Sequence, residues 1–239
     1  MRKKAFLLAA GSAKRWNGIS KQKICFNGEM LIDRLIRQIR RYTDDITIIA
    51  WDQSLKRPGC AFLDTRHPTA SFSHALMLTL DQWSDLNYIF ATDTYFTDPF
   101  IERVFRTERY SFFGYYTRPP NYLLKNQERA AICLPIEMRD RIERGLISAI
   151  SEGINTGSDL PNEMIGFCHS DALALYYRLA KMRGIPGFLF WRLWGQWLRG
   201  LLNFTPNMIE ISDRTSEFDT PEEFKNFCLN RPKYYRGVN

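Results

Sequence analysis

Short apolar runs alternate with helix-like segments through the first half of the sequence, and this alternation limits the folds open to the chain. The apolar runs at 5–10, 46–51 and 87–92 have the length and composition of buried strands. Between them, apolar residues recur at helical spacing over 31–42 and 72–80. Strands and helices in alternation are typical of a parallel sheet with right-handed crossovers. We therefore predict a three-layer α/β/α protein with a mostly parallel sheet.

Weaker patterns complete the prediction for the rest of the chain. Further strands are predicted at 61–63, 111–116, 131–134 and 208–211, and further helices at 99–105, 139–150, 171–182 and 221–227. Residues 212–219 have the composition of a polar loop. No stretch has the composition of an interdomain linker, so we predict one domain over residues 1–239.

Composition and charge narrow the class of partner. Of 239 residues, 45% are hydrophobic, which is enough for a substantial core. The net charge is +7, but the cations are spread along the chain and no nucleic-acid-binding motif occurs. We therefore predict a small anionic ligand and no nucleic-acid partner.

Cysteine usage favours a reducing compartment. The five cysteines are scattered and never spaced C-x-x-C, so neither a zinc site nor a disulfide framework is indicated. The N-terminal apolar run spans only six residues before Gly11, which is too short for a secretion signal. We therefore predict a cytoplasmic protein.

A tryptophan-rich segment at 188–204 carries an apolar stripe opposite a polar one. Its polar residues exclude a membrane-spanning helix. We favour internal packing or self-association, with a homodimer as the assembly in the second case, over contact with a membrane surface.

Small residues and clustered cations follow the first predicted strand. Gly11, Ser12 and Ala13 are small enough for backbone N–H groups to approach an anion. The cations after them are Lys14, Arg15, Lys21 and Lys23. An ordinary strand-to-helix connection is the alternative explanation, but the pattern is well suited to holding a polyphosphate.

Two aspartates stand beside predicted elements. Asp93 follows the strand at 87–92, so it lies at the same carboxyl edge of the sheet as the Gly11 loop. Asp219 precedes a helix-capping box in which Thr220 is the cap and Glu223 completes it. Helix capping explains why Thr220 and Glu223 stand at these positions, but it does not explain Asp219.

Taken together, these residues resemble the nucleotidyltransferase (pyrophosphorylase) family of GT-A-type fold. That family includes sugar-phosphate nucleotidyltransferases, cytidylyltransferases and the molybdenum-cofactor guanylyltransferase. It opens with L-A-A-G-x-G-x-R, a variable gap, P-K, and a turn and helix beginning G-x-P-L-I. Here LLAAGSAKR supplies Gly11 and Arg15, and Lys21 stands seven residues before Gly28.

Three later stretches extend the resemblance, which covers about residues 5–105 and 205–228. TASFSHALMLTL resembles the segment whose small residues lie near the nucleotide. YIFATDTYFTDP resembles the strand that ends in a metal-binding aspartate, and EFDTPEEF resembles the closing segment that supplies a second one. The chain departs from the family at Ala13, which replaces a glycine, and at Ser20, which replaces a proline; neither change removes a charge.

The resemblance implies a magnesium-dependent nucleotidyltransferase of EC 2.7.7 type. It would transfer a nucleoside monophosphate from a nucleoside triphosphate, CTP or another, to a small phosphorylated acceptor and release pyrophosphate. Mg²⁺ would be held by Asp93 and Asp219, while Arg15 and Lys21 would neutralise the triphosphate as catalytic residues. The implied nucleotide-binding residues are Ala9, Ala10, Gly11, Ser12, Ala13, Lys14, Lys23, Ser71 and Ser73.

Within the predicted domain, the resemblance assigns residues 1–116 to a nucleotide-binding half. Residues 117–207 would specify the acceptor and residues 208–239 would close the metal site. Two other functions stay open. One is a nucleotide-sugar-dependent glycosyltransferase of the same fold, although Asp93-Thr94-Tyr95 lacks the second aspartate of a D-x-D motif. The other is a catalytically silent nucleotide-binding protein, which the changes at Ala13 and Ser20 would suit.

Overall fold

Contacts between residues divide the chain into two compact units. The computed structural model describes residues 1–11, 16, 19–69, 72–116, 127–140, 142–143, 207–210, 213–218 and 220–229. The first unit comprises Met1–Pro68, Ser84–Pro135 and Asn207–Asn239, and the second comprises Thr69–Trp83 and Ile136–Pro206. The helix predicted at 171–182 and the tryptophan-rich segment at 188–204 lie outside the described residues.

A seven-stranded sheet forms the centre of the first unit. The described strands, in chain order, are β1 (Lys3–Leu8), β2 (Cys25–Phe26), β3 (Glu29–Met30), β4 (Ile46–Ala50), β5 (Ala61–Asp64), β6 (Leu86–Ala91), β7 (Thr94–Tyr95), β8 (Ser111–Tyr116), β9 (Gln127–Pro135), β10 (Asn207–Glu210) and β11 (Ser216–Glu217). The order in the large sheet is β10-β8-β9-β6-β1-β4-β5. β1 is parallel to β6 on one side and to β4 on the other, and β5 continues the parallel half. β9 runs antiparallel to both β6 and β8.

Two helices cover one face of this sheet. These are α1 (Leu31–Ile39) and α3 (Asp98–Phe105). Their buried apolar residues join alternate residues of β1, β4 and β6 in one core cluster, as expected where every second side chain of a strand points to the same face. Burial of these stripes drives the packing.

Helix ends are capped where the sequence offers a threonine. Thr97 accepts a hydrogen bond from the Phe100 N–H at 3.2 Å at the start of α3. The helix α2 (Phe72–Met77) belongs to the second unit. The helix α4 (Pro221–Cys228) is the last described helix of the first unit. Thr220 caps α4 by accepting from the Glu223 N–H at 3.3 Å, as the capping box predicted. No helix in the described part of the chain is long and apolar enough to cross a membrane.

The predicted fold class, α/β with a mostly parallel sheet, is confirmed. The structure differs from the sequence prediction in three details. β1 begins and ends two residues before the predicted 5–10, so the buried Ala9 and Ala10 lie just beyond the ladder. β9 extends well past the predicted 131–134 because it pairs on both sides. The predicted loop at 212–219 contains β11, which pairs antiparallel with β7. The assignment of one domain with three functional regions stays a prediction.

Asn27 and Gly28 connect β2 and β3 in a tight turn. Their φ angles are 52° and 81°, both in the left-handed region, as expected for an Asn-Gly hairpin turn. A Cβ at Gly28 would meet no described atom within 4 Å, so steric crowding by described atoms does not contribute to the preference for glycine at this position.

We expect Gly28→Ala to lower the free energy of unfolding by about 1–2 kcal/mol, because an L-residue is strained at this φ. Urea denaturation monitored by circular dichroism measures the change. Gly11→Ala is the matched control, since Gly11 is not left-handed and has equally open surroundings among the described atoms. Equal stability of the two variants would contradict the backbone explanation.

Candidate functional site at the carboxyl edge of the sheet

Three neighbouring parallel strands end side by side at one edge of the sheet. β4 is followed by Trp51, β1 by Ala9 to Gly11, and β6 by Thr92 and Asp93. Hydrogen bonds join these ends, from the Ala9 N–H to the Ile49 carbonyl at 2.8 Å and from the Thr92 hydroxyl to the Leu8 carbonyl at 2.7 Å. The ends therefore form one continuous rim at which ligands of open α/β sheets bind.

Lys21 and Asp93, two predicted site residues, meet at this rim. The Lys21 Nζ lies 3.4 Å from the Asp93 Oδ2. The lysine side chain is only 12% exposed, and that of the aspartate is 30% exposed. The pair therefore combines a largely enclosed ammonium group with a carboxylate that solvent can reach. Such a carboxylate can exchange its partner for a ligand.

A buried hydrogen-bonded chain holds the lysine segment against the strand ends. Lys21 belongs to the one-turn helix Lys21–Lys23, whose Gln22 side chain is buried. The Gln22 Nε2 donates to the Thr92 Oγ1 at 3.0 Å, and the Ser20 hydroxyl donates to the Gln22 Oε1. Since Thr92 donates in turn to the Leu8 carbonyl, the chain links the lysine segment, β6 and β1.

The sequence analysis missed Gln22 and Thr92 as supporting residues. Gln22 immediately follows the predicted site residue Lys21, and Thr92 immediately precedes the predicted site residue Asp93. The only signal in the sequence for these supporting roles was a polar side chain directly beside a predicted site residue and near a buried strand end.

Lys23, predicted to bind nucleotide, forms an ion pair with Asp52. Its Nζ lies 2.8 Å from the Asp52 Oδ2, directly beyond the end of β4. Burial alone would raise the pKa of the Asp52 carboxyl, but hydrogen bonds from Lys23 and from Ser54 together hold this pKa below its usual value. Asp52 therefore stays ionised and fixes the lysine at the rim.

An aromatic cluster ties the start of the chain to its C-terminal segment. The Trp16 Nε1 donates to the Phe218 carbonyl at 3.1 Å, and both residues are buried. Around them pack Ile24, Phe26, Leu31, Tyr95, Phe224 and Phe227. The β7–β11 pair lies beside this cluster and sets Glu217 opposite Thr94, the residue after Asp93. The segment that precedes Asp219 in the sequence is thus joined to the segment that follows Asp93.

The structure places some of the predicted site residues and not others. Ala9 and Ala10 are buried, whereas Gly11 is exposed. Ser73 belongs to α2 in the second unit. The predicted residues outside the described part of the chain are Ser12, Ala13, Lys14, Arg15, Ser71 and Asp219. Their roles stay predictions.

The donors at the rim suit a metal that arrives with phosphate. Within the described ranges, no group of three or more His, Cys, Asp or Glu side chains is placed to hold a metal ion. Mg²⁺ bound to substrate phosphates needs only one or two protein carboxylates and keeps several waters. The solvent-accessible Asp93 carboxylate fits that requirement, and a preformed all-protein cage is not needed.

Fold and rim together define an open α/β protein with paired cations and carboxylates at the carboxyl edge of its sheet, and the comparisons make this class more specific. Residues 5–118 match the model of the MobA-like NTP transferase domain. This match includes the Gly11 loop, Lys21 and Asp93, so the predicted resemblance to nucleotidyltransferases is confirmed. No curated protein matches the chain significantly.

Solved structures support the fold over almost the whole chain. The CTP:phosphocholine cytidylyltransferase from Streptococcus pneumoniae is 14% identical, with a TM-score of 0.61 and coverage of 96% of this chain and 99% of its own. The inositol-1-phosphate CTP transferase from T. maritima is 8% identical, with a TM-score of 0.56 and coverage of 100% and 98%. The UDP-glucose pyrophosphorylase from Acinetobacter baumannii is 11% identical, with a TM-score of 0.55 and coverage of 96% and 93%. At these identities the likeness concerns the fold alone.

We expect Thr92→Val to destabilise the protein by about 1–3 kcal/mol, because it leaves the buried Gln22 amide without its acceptor. Thr47→Val in β4 is the matched control. Thr47 is equally buried, and its hydroxyl has no hydrogen-bond partner among the described residues, so its loss should be neutral or slightly stabilising. Thermal unfolding of both variants tests the difference; equal losses would show that the two hydrogen bonds of the Thr92 hydroxyl, from Gln22 and to the Leu8 carbonyl, contribute nothing.

Proposed function

We propose that this chain transfers a nucleoside monophosphate from a nucleoside triphosphate to a small phosphorylated acceptor, with release of pyrophosphate. The observation that carries the proposal is the Lys21–Asp93 pair at the carboxyl edge of the sheet. It sets a cation suited to binding phosphate next to a carboxylate suited to binding a metal, within the residues that match the NTP transferase model.

Lys21 and Asp93 have separate tasks in the proposed reaction. When triphosphate binds, the Lys21 ammonium group exchanges the Asp93 carboxylate for a phosphate oxygen and neutralises charge that develops on the phosphates. Asp93 is then free to hold Mg²⁺. The metal, when bound, polarises the α-phosphate and orients it for in-line attack by the acceptor oxygen. No nucleophilic side chain is needed, because positioning and charge neutralisation carry the reaction.

Arg15 and Asp219 are proposed to complete the site. Both assignments come from the family motifs, with Arg15 on the triphosphate and Asp219 as second metal ligand. They are supported by the hydrogen bond from Trp16 to the Phe218 carbonyl, since Trp16 follows Arg15 and Phe218 precedes Asp219 in the sequence.

The backbone after β1 is proposed to bind the phosphates. Ala9 and Ala10 are buried and hold the strand end in place, while Gly11 is exposed and an added Cβ there would meet no described atom within 4 Å. Lys23 is already paired with Asp52, so we assign it an indirect role at the rim, with Lys14 as the alternative cation.

We expect magnesium-dependent pyrophosphate release in a panel of the four nucleoside triphosphates with sugar and alcohol phosphates. Asp93→Asn should lower kcat on the order of 100-fold or more, because the metal loses its carboxylate. Asp64→Asn is the matched control: Asp64 ends β5 at the edge of the same sheet and accepts hydrogen bonds from Gln53 and from the Arg66 N–H. Its activity should equal that of the wild type.

Other outcomes of that panel would favour another function. Sugar transfer from a nucleotide-sugar, without pyrophosphate release from any triphosphate, would support the glycosyltransferase. Metal-dependent triphosphate binding without turnover would support the silent nucleotide-binding protein.

We expect Gly11→Ala to weaken triphosphate binding by about 10-fold, equivalent to ~1.4 kcal/mol. The added methyl group meets no described protein atom within 4 Å, so it would enter space proposed for the phosphates. Isothermal titration with each triphosphate and magnesium measures the dissociation constant. Unfolding in urea without ligand should be unchanged. Unaltered affinity would contradict close approach of the phosphates to this backbone.

A further inference from the structure

An exposed tryptophan stands at the rim beside the proposed phosphate site. Trp51 follows β4 directly, and 36% of its surface is exposed. The other tryptophans in the described part of the chain are more enclosed, Trp16 in the aromatic cluster and Trp83 beside Thr79. A single exposed apolar side chain is ordinary on a protein surface, so it is the place of Trp51 at the rim, rather than its exposure, that points to a ligand.

One hydrogen bond restrains the orientation of the Trp51 indole. Its Nε1 donates to the Gly11 carbonyl at 3.2 Å, which anchors the ring edge to the loop after β1. The ring is therefore preorganised, and binding a flat partner would cost little side-chain entropy. Asp52, held by Lys23 and by Ser54, keeps the chain after the tryptophan in place.

The spacing of the strand ends matches the layout of a nucleotide. β1 lies between β4 and β6, so the ends of β4 and β6 are two strand spacings, about 10 Å, apart. Trp51 stands at one end of this span, Gly11 in the middle and Asp93 at the other end. In a nucleoside triphosphate the base and the phosphates lie on opposite sides of the sugar, so phosphates bound at Gly11 and Asp93 would leave the base on the β4 side of the rim.

We propose that Trp51 is a stacking platform for the nucleobase of the bound triphosphate. The inference rests on the proposed function and specifies which part of the substrate lies at β4. A base stacked on an aromatic side chain contributes about 1–3 kcal/mol, and every base has a face that can stack. Trp51 therefore contributes affinity to all four triphosphates, while the choice among bases depends on hydrogen bonds made elsewhere.

Two substitutions distinguish the contribution of the Trp51 aromatic face to binding from that of its N–H group. Trp51→Phe keeps an aromatic face and loses the hydrogen bond to Gly11, whereas Trp51→Leu loses both. Trp83→Phe is the matched control, because it changes a described tryptophan of the second unit. The ligands are magnesium with a nucleoside triphosphate and magnesium with inorganic tripolyphosphate, which has no base.

We expect Trp51→Leu to weaken triphosphate binding by about 10-fold and Trp51→Phe by no more than about 3-fold, measured by isothermal titration. Tripolyphosphate should bind all variants as it binds the wild type, and Trp83→Phe should bind both ligands normally. Thermal unfolding checks that each variant is folded; if Trp51→Leu is not, Trp51→Phe compared with Trp51→Met decides the same question.

Three outcomes would contradict the proposal that Trp51 stacks on the nucleobase. Unchanged triphosphate affinity in Trp51→Leu would show that the base lies elsewhere. Equal losses in the Phe and Leu variants would assign the effect to the Gly11 hydrogen bond. Equal losses for triphosphate and tripolyphosphate would show that Trp51 acts through the phosphate loop. Failure of the wild type to bind any triphosphate would instead contradict the proposed function, and the platform with it.

Discussion

The hydrogen bond from the buried Gln22 amide to the Thr92 hydroxyl is the contact on which the geometry of the rim depends. Thr92 is anchored to the Leu8 carbonyl, so one side chain connects β6, β1 and the lysine segment. A long, flexible lysine could reach many positions, but its backbone is held by the next residue. The position of Lys21 relative to Asp93 thus comes from a buried neighbour, and burial makes that bond costly to break.

The aromatic cluster joins the start of the chain to its C-terminal segment. Trp16 and Phe218 are 202 positions apart in sequence and share a buried hydrogen bond. The short β7–β11 pair adds backbone hydrogen bonds beside it. Two residues of pairing would be too weak alone, but the apolar packing around Phe218 keeps the strands together. Sequence-distant motifs at Arg15 and Asp219 are therefore flanked by residues that the fold connects.

The parallel core could be predicted because its central strands β1, β4 and β6 are mainly apolar runs that are largely buried on both faces. The rim could also be predicted, since parallel strands end at a common edge, and Lys21 and Asp93 do meet there. The β7–β11 pair could not, because two-residue strands have no periodicity and their pairing depends on tertiary packing. Gln22 and Trp51 gave only weak signals, since a glutamine or a tryptophan after an apolar run has meaning only once its neighbours are known. Arg15 and Asp219 rest on the motifs alone.

The ionic arrangement of the rim explains why nucleotide and metal would bind together. Each described cation there already faces a carboxylate, Lys21 facing Asp93 and Lys23 facing Asp52, so the net charge of +7 does not itself create an attractive site. A triphosphate without a cation would meet Lys21 and the repelling Asp93 side by side. If Mg²⁺ arrived with the phosphates, Asp93 would hold the metal while Lys21 would pair with a phosphate oxygen, so neither member of the ion pair would lose its partner. In the proposed function, binding of the two ligands would be coupled because a single ion pair supplies a partner to each.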